Sequence, residues 1–401
     1  MSAAQSDSMS AQERRAGISL AAIFALRMLG LFLILPVFAV HAEHVPGGND
    51  LMLVGLVIGA YGLTQGLLQI PYGAASDRFG RKPVIVFGLV LFALGSVVAA
   101  LADHIGWIIA GRVLQGAGAI SAAVTALAAD LTRDQHRTKV MAMIGSSIGL
   151  VFAGSLVAAP ILYATIGMDG IFWLTAGMAV AAIWVVLRMV PAAPPVPRAT
   201  GGFGEVLRNG QLMRLNFGVF VLHLIQTTMW VMVPAALAGQ GGLPLGEHWK
   251  VYLPAVLLSF VVMVPAVVVA ERHGRLKQVF LAAVALLAGV QLGLGLFGDG
   301  LWALAFWLTL FFVAFNVLEA TLPSWISKIA PAHAKGTALG VYNTLQSAGL
   351  FLGGVLGGWL AQAFGPAAVS LSCALLALLW LAAAATMNPP SRRAQMPANA
   401  G

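Results

Sequence analysis

The chain has 401 residues, of which 60% are hydrophobic and only 9% are charged. Soluble domains have about 25% charged residues, because water must solvate their surface. So small a charged fraction excludes a soluble enzyme, a disordered chain and a fibrous repeat, and it indicates a membrane protein with many spans.

Apolar runs of bilayer length follow one another along the sequence. A bilayer core needs roughly 20 apolar residues in a helix. Segments of alternating polarity, which would indicate a β-barrel, do not occur. The predicted fold class is therefore an all-α membrane protein with twelve transmembrane helices. After a cytoplasmic N-terminal segment at 1–17, the spans are predicted at 18–40, 51–74, 83–102, 107–130, 139–163, 169–190, 214–238, 249–270, 277–299, 301–327, 336–363 and 367–387.

The basic residues indicate the orientation of these spans. With a cytoplasmic N-terminus, 19 of the 22 Lys and Arg residues fall in cytoplasmic segments, and Lys250 alone falls outside. Cytoplasmic loops of membrane proteins are enriched in Lys and Arg, so both termini are predicted to be cytoplasmic. The net charge of +8 is spread over loops beside a membrane, which argues against nucleic-acid binding.

A Pro- and Gly-rich segment divides the spans into two sets of six. We predict a linker at 191–213 between bundles at 18–190 and 214–388, with a cytoplasmic tail at 389–401. The pattern Pro, acid, Arg, Gly, Arg at 71–81 recurs at 265–275. A parallel repeat places a pseudo-twofold axis along the membrane normal and a substrate site between the halves.

Two motifs indicate a family. The first cytoplasmic loop reads Gly-Ala-Ala-Ser-Asp-Arg-Phe-Gly-Arg-Lys over 73–82, and span four reads Arg-Val-Leu-Gln-Gly-Ala-Gly over 112–118. These residues resemble the major facilitator superfamily, and the wider sequence resembles the YajR-type branch of its drug/proton antiporters. The resemblance implies a transporter of the bacterial inner membrane that works by alternating access. One departure is Ala159-Pro160 in span five, where such antiporters usually have Gly-Pro.

The resemblance implies a proton-coupled antiporter that exports small amphipathic or drug-like molecules. The alternative is a proton symporter or a uniporter for a sugar or similar nutrient. The sequence lacks metalloprotease, hydrolase and nucleotide-binding motifs, so we expect no enzyme activity, no metal and no cofactor besides the proton. The expected partners are a small-molecule substrate and the lipid bilayer, and the chain is expected to be a monomer.

The resemblance also implies that the loop motif fastens the cytoplasmic side in the outward-open state. Asp77 is expected to face the start of span eleven at 336–337, where unpaired N–H groups attract a carboxylate by about 0.3–1 kcal/mol when exposed. Arg81 is expected to pair with Asp130, and Gly80 permits the turn between them. A purely topological role for the basic residues is the alternative. We call this set the cytoplasmic latch: Gly73, Asp77, Arg78, Gly80, Arg81 and Asp130.

Four strongly ionisable residues lie well within predicted spans: Arg27, Arg112, His223 and Glu319. A charge at a helix centre costs about 2.5–3.5 kcal/mol, so each needs a role. Burial disfavours a charged carboxylate, which would let Glu319 load and release protons near neutral pH. We assign Glu319, His223 and Arg112 to proton coupling. The alternatives are a permanently bonded carboxylate, a structural histidine, and a guanidinium that reaches the outer interface.

Other polar residues within the spans are candidates for the substrate cavity. Tyr61 and Gln65 share one face of span two, and Asn316 lies one turn from Glu319. Any of these side chains can instead bond one helix to another. The predicted cavity set is Arg27, Tyr61, Gln65, Gln226, Asn316, Asn343 and Gln346.

Overall fold

The computed structural model describes residues 9–191, 203–331 and 334–388, and every regular element in these ranges is helical. The α-helices of the described ranges are α1 (Ala11–Phe32), α2 (Leu35–His41), α3 (Leu51–Phe79), α4 (Arg81–Ala100), α5 (Ile105–Ala117), α6 (Ser121–Asp130), α7 (Asp134–Arg188), α8 (Phe203–Arg208), α9 (Gly210–Ala238), α10 (Trp249–Arg272), α11 (Leu276–Phe297), α12 (Leu301–Ile329), α13 (Lys335–Phe364) and α14 (Pro366–Ala385). Short 3₁₀ turns at Ala42–His44 and Leu245–Glu247 follow α2 and precede α10.

The helices reproduce the predicted spans, and two of the spans contain breaks that hydropathy does not reveal. Span one consists of α1 and α2, and span four consists of α5 and α6. Spans five and six are both contained in α7, whose backbone leaves the helical region at Gly167, where φ is 68°. By length and hydropathy, eleven helical stretches of the described residues can cross a bilayer. Because α7 supplies two crossings, the prediction of twelve spans is confirmed.

The contacts of α7 with α1 show that the chain reverses direction near Gly167. Val140, near the start of α7, lies beside Gly17 at the cytoplasmic end of α1. The far end of α7 returns to the same place, since Nε of Arg15 donates to the carbonyl oxygen of Met189 at 2.9 Å. The two arms of α7 therefore run out across the membrane and back.

The two halves share two local structural features. Gly80 and Gly274 follow the second span of each half and have positive φ values of 93° and 66°. Lys82 donates at 2.6 Å to the carbonyl two residues after α7, and Lys277 donates at 2.8 Å to the last carbonyl of α14. A lysine thus satisfies the end of the sixth span in each half. The predicted linker includes α8, whereas 192–202 and the tail from 389 lie outside the described residues.

The halves are in close contact in the periplasmic part of α3 and α13. A Cβ at Gly55 would overlap the carbonyl of Gly354, and one at Gly358 would overlap the carbonyl of Leu51. Small residues allow such backbone contact between helices in a membrane. One buried apolar cluster joins residues of both halves there, whereas the cytoplasmic part of the N-terminal bundle has a core of its own. The structure is therefore closed on the periplasmic side.

Candidate substrate cavity and proton site

A cavity of about 540 Å³ lies between the two halves. Its walls come from α1, α2, α3, α6 and α7 on one side and from α9, α12 and α13 on the other. The lining residues lie at 141–152 on α7 and 339–350 on α13, from near the cytoplasmic start of each helix to its middle. The cavity therefore extends from the midplane toward the cytoplasm, which defines an inward-facing conformation.

Aromatic side chains from both halves meet at the periplasmic end of the cavity. The ring of Phe152 lies with its centroid 5.1 Å from Phe32, in its own half. Across the interface, it lies 6.3 Å from Trp230, 6.2 Å from Phe312 and 6.4 Å from Phe315. Most of these contacts are edge-to-face, the arrangement that aromatic rings favour. This aromatic cluster closes the cavity where the halves must separate for release to the periplasm.

Glu319 lies on the C-terminal wall of the cavity and is its only Asp or Glu among the described residues. Its Oε2 atom is buried, has no hydrogen-bond partner in the described structure and lies 3.6 Å from Nε2 of His223. The side chain is 39% exposed, so the cavity reaches the carboxyl group. Such a group can bind or release a proton without losing an existing hydrogen bond.

His223 is held in place from two directions. Its Nδ1 lies 3.0 Å from the carbonyl oxygen of Val219, and its Nε2 lies 2.7 Å from the amide nitrogen of Gln346. Because a carbonyl can only accept, Nδ1 carries a hydrogen, and in the neutral form of the ring Nε2 accepts from Gln346. The contact with Gln346 joins α9 to α13 at the cavity.

Arg27 lies directly behind the N-terminal wall of the cavity. It is fully buried, and its Nη2 and Nη1 atoms donate to Oε1 of Gln65 at 3.0 Å and to Oγ of Ser121 at 3.2 Å. The guanidinium also lies 5.6 Å from the ring centroid of Tyr61. Gln65, Ser121 and Tyr61 line the cavity, whereas Arg27 does not reach its surface.

Arg112 is also fully buried, so the interpretation that it reaches the outer interface is wrong. Its Nε donates to the carbonyl of Val57 at 3.1 Å, and its Nη1 donates to Oε1 of Gln115 at 2.6 Å. Gln115 donates in turn to Ser96 at 2.7 Å, and the guanidinium lies 5.2 Å from the Tyr61 centroid. Close helix contacts bury this network, since a Cβ at Gly95 would overlap the backbone nitrogen of Gln115.

The cytoplasmic latch is assembled within the N-terminal half. Arg81 forms an ion pair with Asp77, and its Nε donates to Oδ2 of Asp130 at 2.9 Å, the pairing that the resemblance implied. Arg78 stacks on Phe79 at 5.4 Å from the ring centroid. Cβ of Ala122, on α6, would lie 3.8 Å from a Cβ at Gly73. The expected contact of Asp77 with the start of α13 stays a prediction, since the side chains at 335–336 lie outside the described residues.

The remaining candidates lie on the cavity wall, and several lining residues were not predicted. Gln226, Asn316, Asn343 and Gln346 line the cavity, as do the unpredicted Ser121, Thr125 and Tyr342. The buried hydroxyl of Tyr342 has no partner in the described structure. Tyr342 could have been found from sequence, because it lies one turn before Gln346 on the same face of α13. Among the described residues, no cluster of His, Cys, Asp and Glu has the geometry of a metal site.

Two glycines of α7 lie in open space rather than at a helix contact. Gly145 and Gly149 are four residues apart, a spacing that often accompanies close helix packing. Here no described atom lies within 4 Å of a Cβ placed at either position. Both glycines face the cavity and widen it instead.

Comparison with known proteins places the chain in a family. The sequence model described as Major Facilitator Superfamily matches residues 20–259 and 215–400. The chain is 45% identical to the inner membrane transport protein YajR of Escherichia coli (strain K12), over 98% of this chain and 88% of that protein. It is 26% identical to the multidrug resistance protein MdtH of Proteus mirabilis (strain HI4320), over 84% of each.

Solved structures show the same fold. The bacterial homologue of the human lysosomal transporter Spinster, in an inward-facing and occupied conformation, superposes with a TM-score of 0.74 at 12% identity. That match covers 98% of this chain and 100% of the other. The human organic anion transporter MFSD10 superposes with a TM-score of 0.70 at 20% identity, covering 94% and 100%. By the matched sequence model, the identity to YajR and this fold, the chain belongs to the major facilitator superfamily, as a multi-pass transport protein of the inner membrane.

Proposed function

We propose that the chain is a proton-coupled antiporter that exports small amphipathic molecules from the cytoplasm. The observation that supports this proposal is Glu319, the one carboxyl group among the described residues that lines the cavity. Its buried oxygen lacks a hydrogen-bond partner in the described structure, so protonation meets no competing bond. The MdtH relatives, whose name states multidrug resistance, support export as the direction.

Exchange follows if substrate and proton cannot occupy the cavity together. In the inward-facing state, substrate enters from the cytoplasm and the Glu319 proton leaves to that side. After the halves rock, a periplasmic proton binds Glu319 and substrate is released outward. Each proton that moves inward contributes about 2.3 kcal/mol per 100 mV. At an assumed membrane potential of ~150 mV, one proton sustains a roughly 300-fold substrate gradient.

The test is quenching of a pH-sensitive dye in inverted membrane vesicles, screened against a panel of amphipathic compounds. We expect wild type to release protons on substrate addition and Glu319→Gln to give the background signal, because the amide cannot ionise. Glu247→Gln is the matched control, since Glu247 lies outside the cavity and pairs with Lys250 at 2.7 Å. Full activity of Glu319→Gln would place the proton site elsewhere.

The direction of coupling separates the proposal from sugar or nutrient symport. In proteoliposomes, an antiporter accumulates substrate on the acidic side of an imposed pH gradient, and a symporter accumulates it on the alkaline side. We expect accumulation on the acidic side. Accumulation on the alkaline side, or transport that ignores the gradient, would contradict antiport.

A further inference from the structure

The N-terminal wall of the cavity is backed by two cations that have no carboxylate partner in the part of the chain that the structure describes. The guanidinium groups of Arg27 and Arg112 lie 5.6 and 5.2 Å from the centroid of the same ring, that of Tyr61. Neither arginine forms an ion pair within the described ranges, and both are fully buried. Two unpaired buried cations produce a positive potential at this wall, which an anion in the cavity would relieve.

The hydrogen bonds of Arg27 transmit its charge to the cavity surface. Oε1 of Gln65 accepts from Arg27, so the amide N–H₂ of Gln65 points away from the guanidinium. Oγ of Ser121 also accepts from Arg27, which leaves its O–H free to donate. Both side chains line the cavity. The arginine therefore orients and polarises two donors while remaining hidden from water itself.

The opposite wall is acidic, because Glu319 lies on α12 in the other half. This charge arrangement restricts the substrates that a proton antiporter can exchange. A purely anionic substrate would stabilise the protonated form of Glu319, so it would bind together with the proton. A substrate with an additional ammonium group would instead compete with the proton for Glu319.

We propose that the preferred substrates are zwitterionic amphiphiles, with an anionic group bound by Gln65 and Ser121 and an ammonium group bound by Glu319. Arg27 is the positioning residue of the anionic end. The apolar body between the charges would contact Met28 and Phe152, which line the same cavity. The cavity volume of about 540 Å³ suits a drug-sized molecule. The inference rests on the proposed antiport, because the ammonium group is required by competition at Glu319.

Equilibrium binding to the purified full chain tests the two ends separately. The probes are 4-(aminomethyl)benzoate and 4′-(aminomethyl)biphenyl-4-carboxylate, which differ in charge separation. Each is compared with its methyl ester, its N-acetyl derivative and the doubly blocked form, at about pH 7.5, where both free groups are charged. For at least one length, we expect the zwitterion to bind about 10-fold or more tightly than either singly blocked form, as charged hydrogen bonds allow.

Variants assign each end of the probe to its wall. Arg27→Gln and Gln65→Leu should remove the preference for carboxylate over ester, and Arg27→Lys should retain part of it. Glu319→Gln should remove the preference for amine over N-acetyl and leave the carboxylate preference intact. Gln69→Leu is the matched control, because Gln69 lines the same cavity one turn from Gln65 and does not bond Arg27. It should change the affinities for zwitterion and ester alike.

The inference is overturned if no zwitterion of either length binds more tightly than its ester and N-acetyl forms. It is also overturned if the carboxylate preference survives in both Arg27→Gln and Gln65→Leu. These outcomes would not contradict the proposed antiport, because antiport is tested separately, by proton release from vesicles when another substrate is added. Conversely, a preference for zwitterions without proton-coupled transport would overturn the proposed function. It would still support a site that binds an anionic group at one wall and an ammonium group at the other.

Discussion

The two halves share a fold but place different chemistry on their facing walls. The C-terminal wall has Glu319 beside His223, a carboxyl group and an imidazole that lie 3.6 Å apart. The N-terminal wall is backed by Arg27 and Arg112, whose guanidinium groups stay charged. Span one reads Phe-Ala-Leu-Arg over 24–27 and span seven reads Phe-Val-Leu-His over 220–223, so His223 is the counterpart of Arg27. The same position thus holds a titratable base in one half and a fixed cation in the other, so we expect the C-terminal half to exchange protons.

The chemical difference between the two walls can affect transport only if the walls move relative to each other. The largest expected effect therefore comes from the contact between α3 and α13. A leucine at Gly354 would overlap the backbone of Gly55 and oppose periplasmic closure. If this steric overlap destabilises the inward-facing state by ~3 kcal/mol, the population of that state falls about 100-fold, and the transport rate should fall by a similar factor. Gly340→Leu is the control on the same helix, since no described atom lies within 4 Å of its Cβ position.

Cysteine labelling checks the physical reason for this loss. Met28 lines the cavity, which is closed to the periplasm in the inward-facing state. A Met28→Cys reporter should react faster with a membrane-impermeant maleimide from the periplasm when Gly354→Leu is added. Normal transport by Gly354→Leu, or unchanged labelling, would show that the halves do not need this contact to close.

The second prediction concerns the fixed charges of the N-terminal half. Arg112→Gln leaves the carbonyl of Val57 and the amide of Gln115 without their buried donor. Each unsatisfied group costs about 1–3 kcal/mol, so the free energy of unfolding should fall by about 2–6 kcal/mol. The pH dependence of residual transport should stay as in wild type, because Arg112 neither lines the cavity nor contacts Glu319.

Denaturation of the purified protein and pH profiles in vesicles measure the two quantities separately. Arg112→Lys is the matched variant, since it keeps the charge and loses the paired donors. An Arg112→Gln variant of normal stability with a shifted pH profile would support the part in proton coupling that the family resemblance implies. It would also remove the contrast between a titratable half and a fixed one.

Hydropathy was sufficient to predict the spans, because bilayer thickness acts on each segment independently. It also placed the boundary between spans five and six at 164–168, where Gly167 lies, but it could not predict the break at 118–120 within span four, which depends on local backbone conformation and on neighbouring helices. A Cβ at Gly118, for example, would overlap the carbonyl of Gly88 on α4. The breaks divide span four and reverse the chain within α7.

The candidate site was predictable only in part, for a related reason. Charges and amides are rare in apolar helices, so Glu319, Gln65 and Gln346 could be identified from sequence. The aromatic cluster around Phe152 could not, because helices that are apolar on every face give no signal of which side meets the other half. The bond between Arg27 and Gln65 likewise depends on the rotation of two helices, which no spacing along one helix records.

The smallest expected effect concerns the cytoplasmic latch, a further difference between the halves. Arg81 pairs with Asp77 and Asp130, whereas Arg275, its counterpart in the C-terminal repeat, has no ion pair within the described residues. Asp77→Asn should reduce transport about 2- to 5-fold, which corresponds to the ~0.3–1 kcal/mol attraction of a carboxylate to a helix start. Amounts in the membrane fraction should be unchanged, as they should be for the exposed control Asp103→Asn.

Comparison of Asp130→Asn with Asp77→Asn shows whether the cytoplasmic latch acts between the two halves or only within the N-terminal half. Asp130 is 10% exposed and bonds to Arg81 of its own half, so its loss should lower stability in both conformations alike. Asp77 is 42% exposed, and its proposed partner at the start of α13 belongs to the other half. Asp77→Asn should therefore slow periplasmic labelling of the Met28→Cys reporter, because the outward-open state loses its attraction, whereas Asp130→Asn should leave labelling unchanged. Equal effects of the two variants on labelling would mean that the motif only holds the loop of the N-terminal half together.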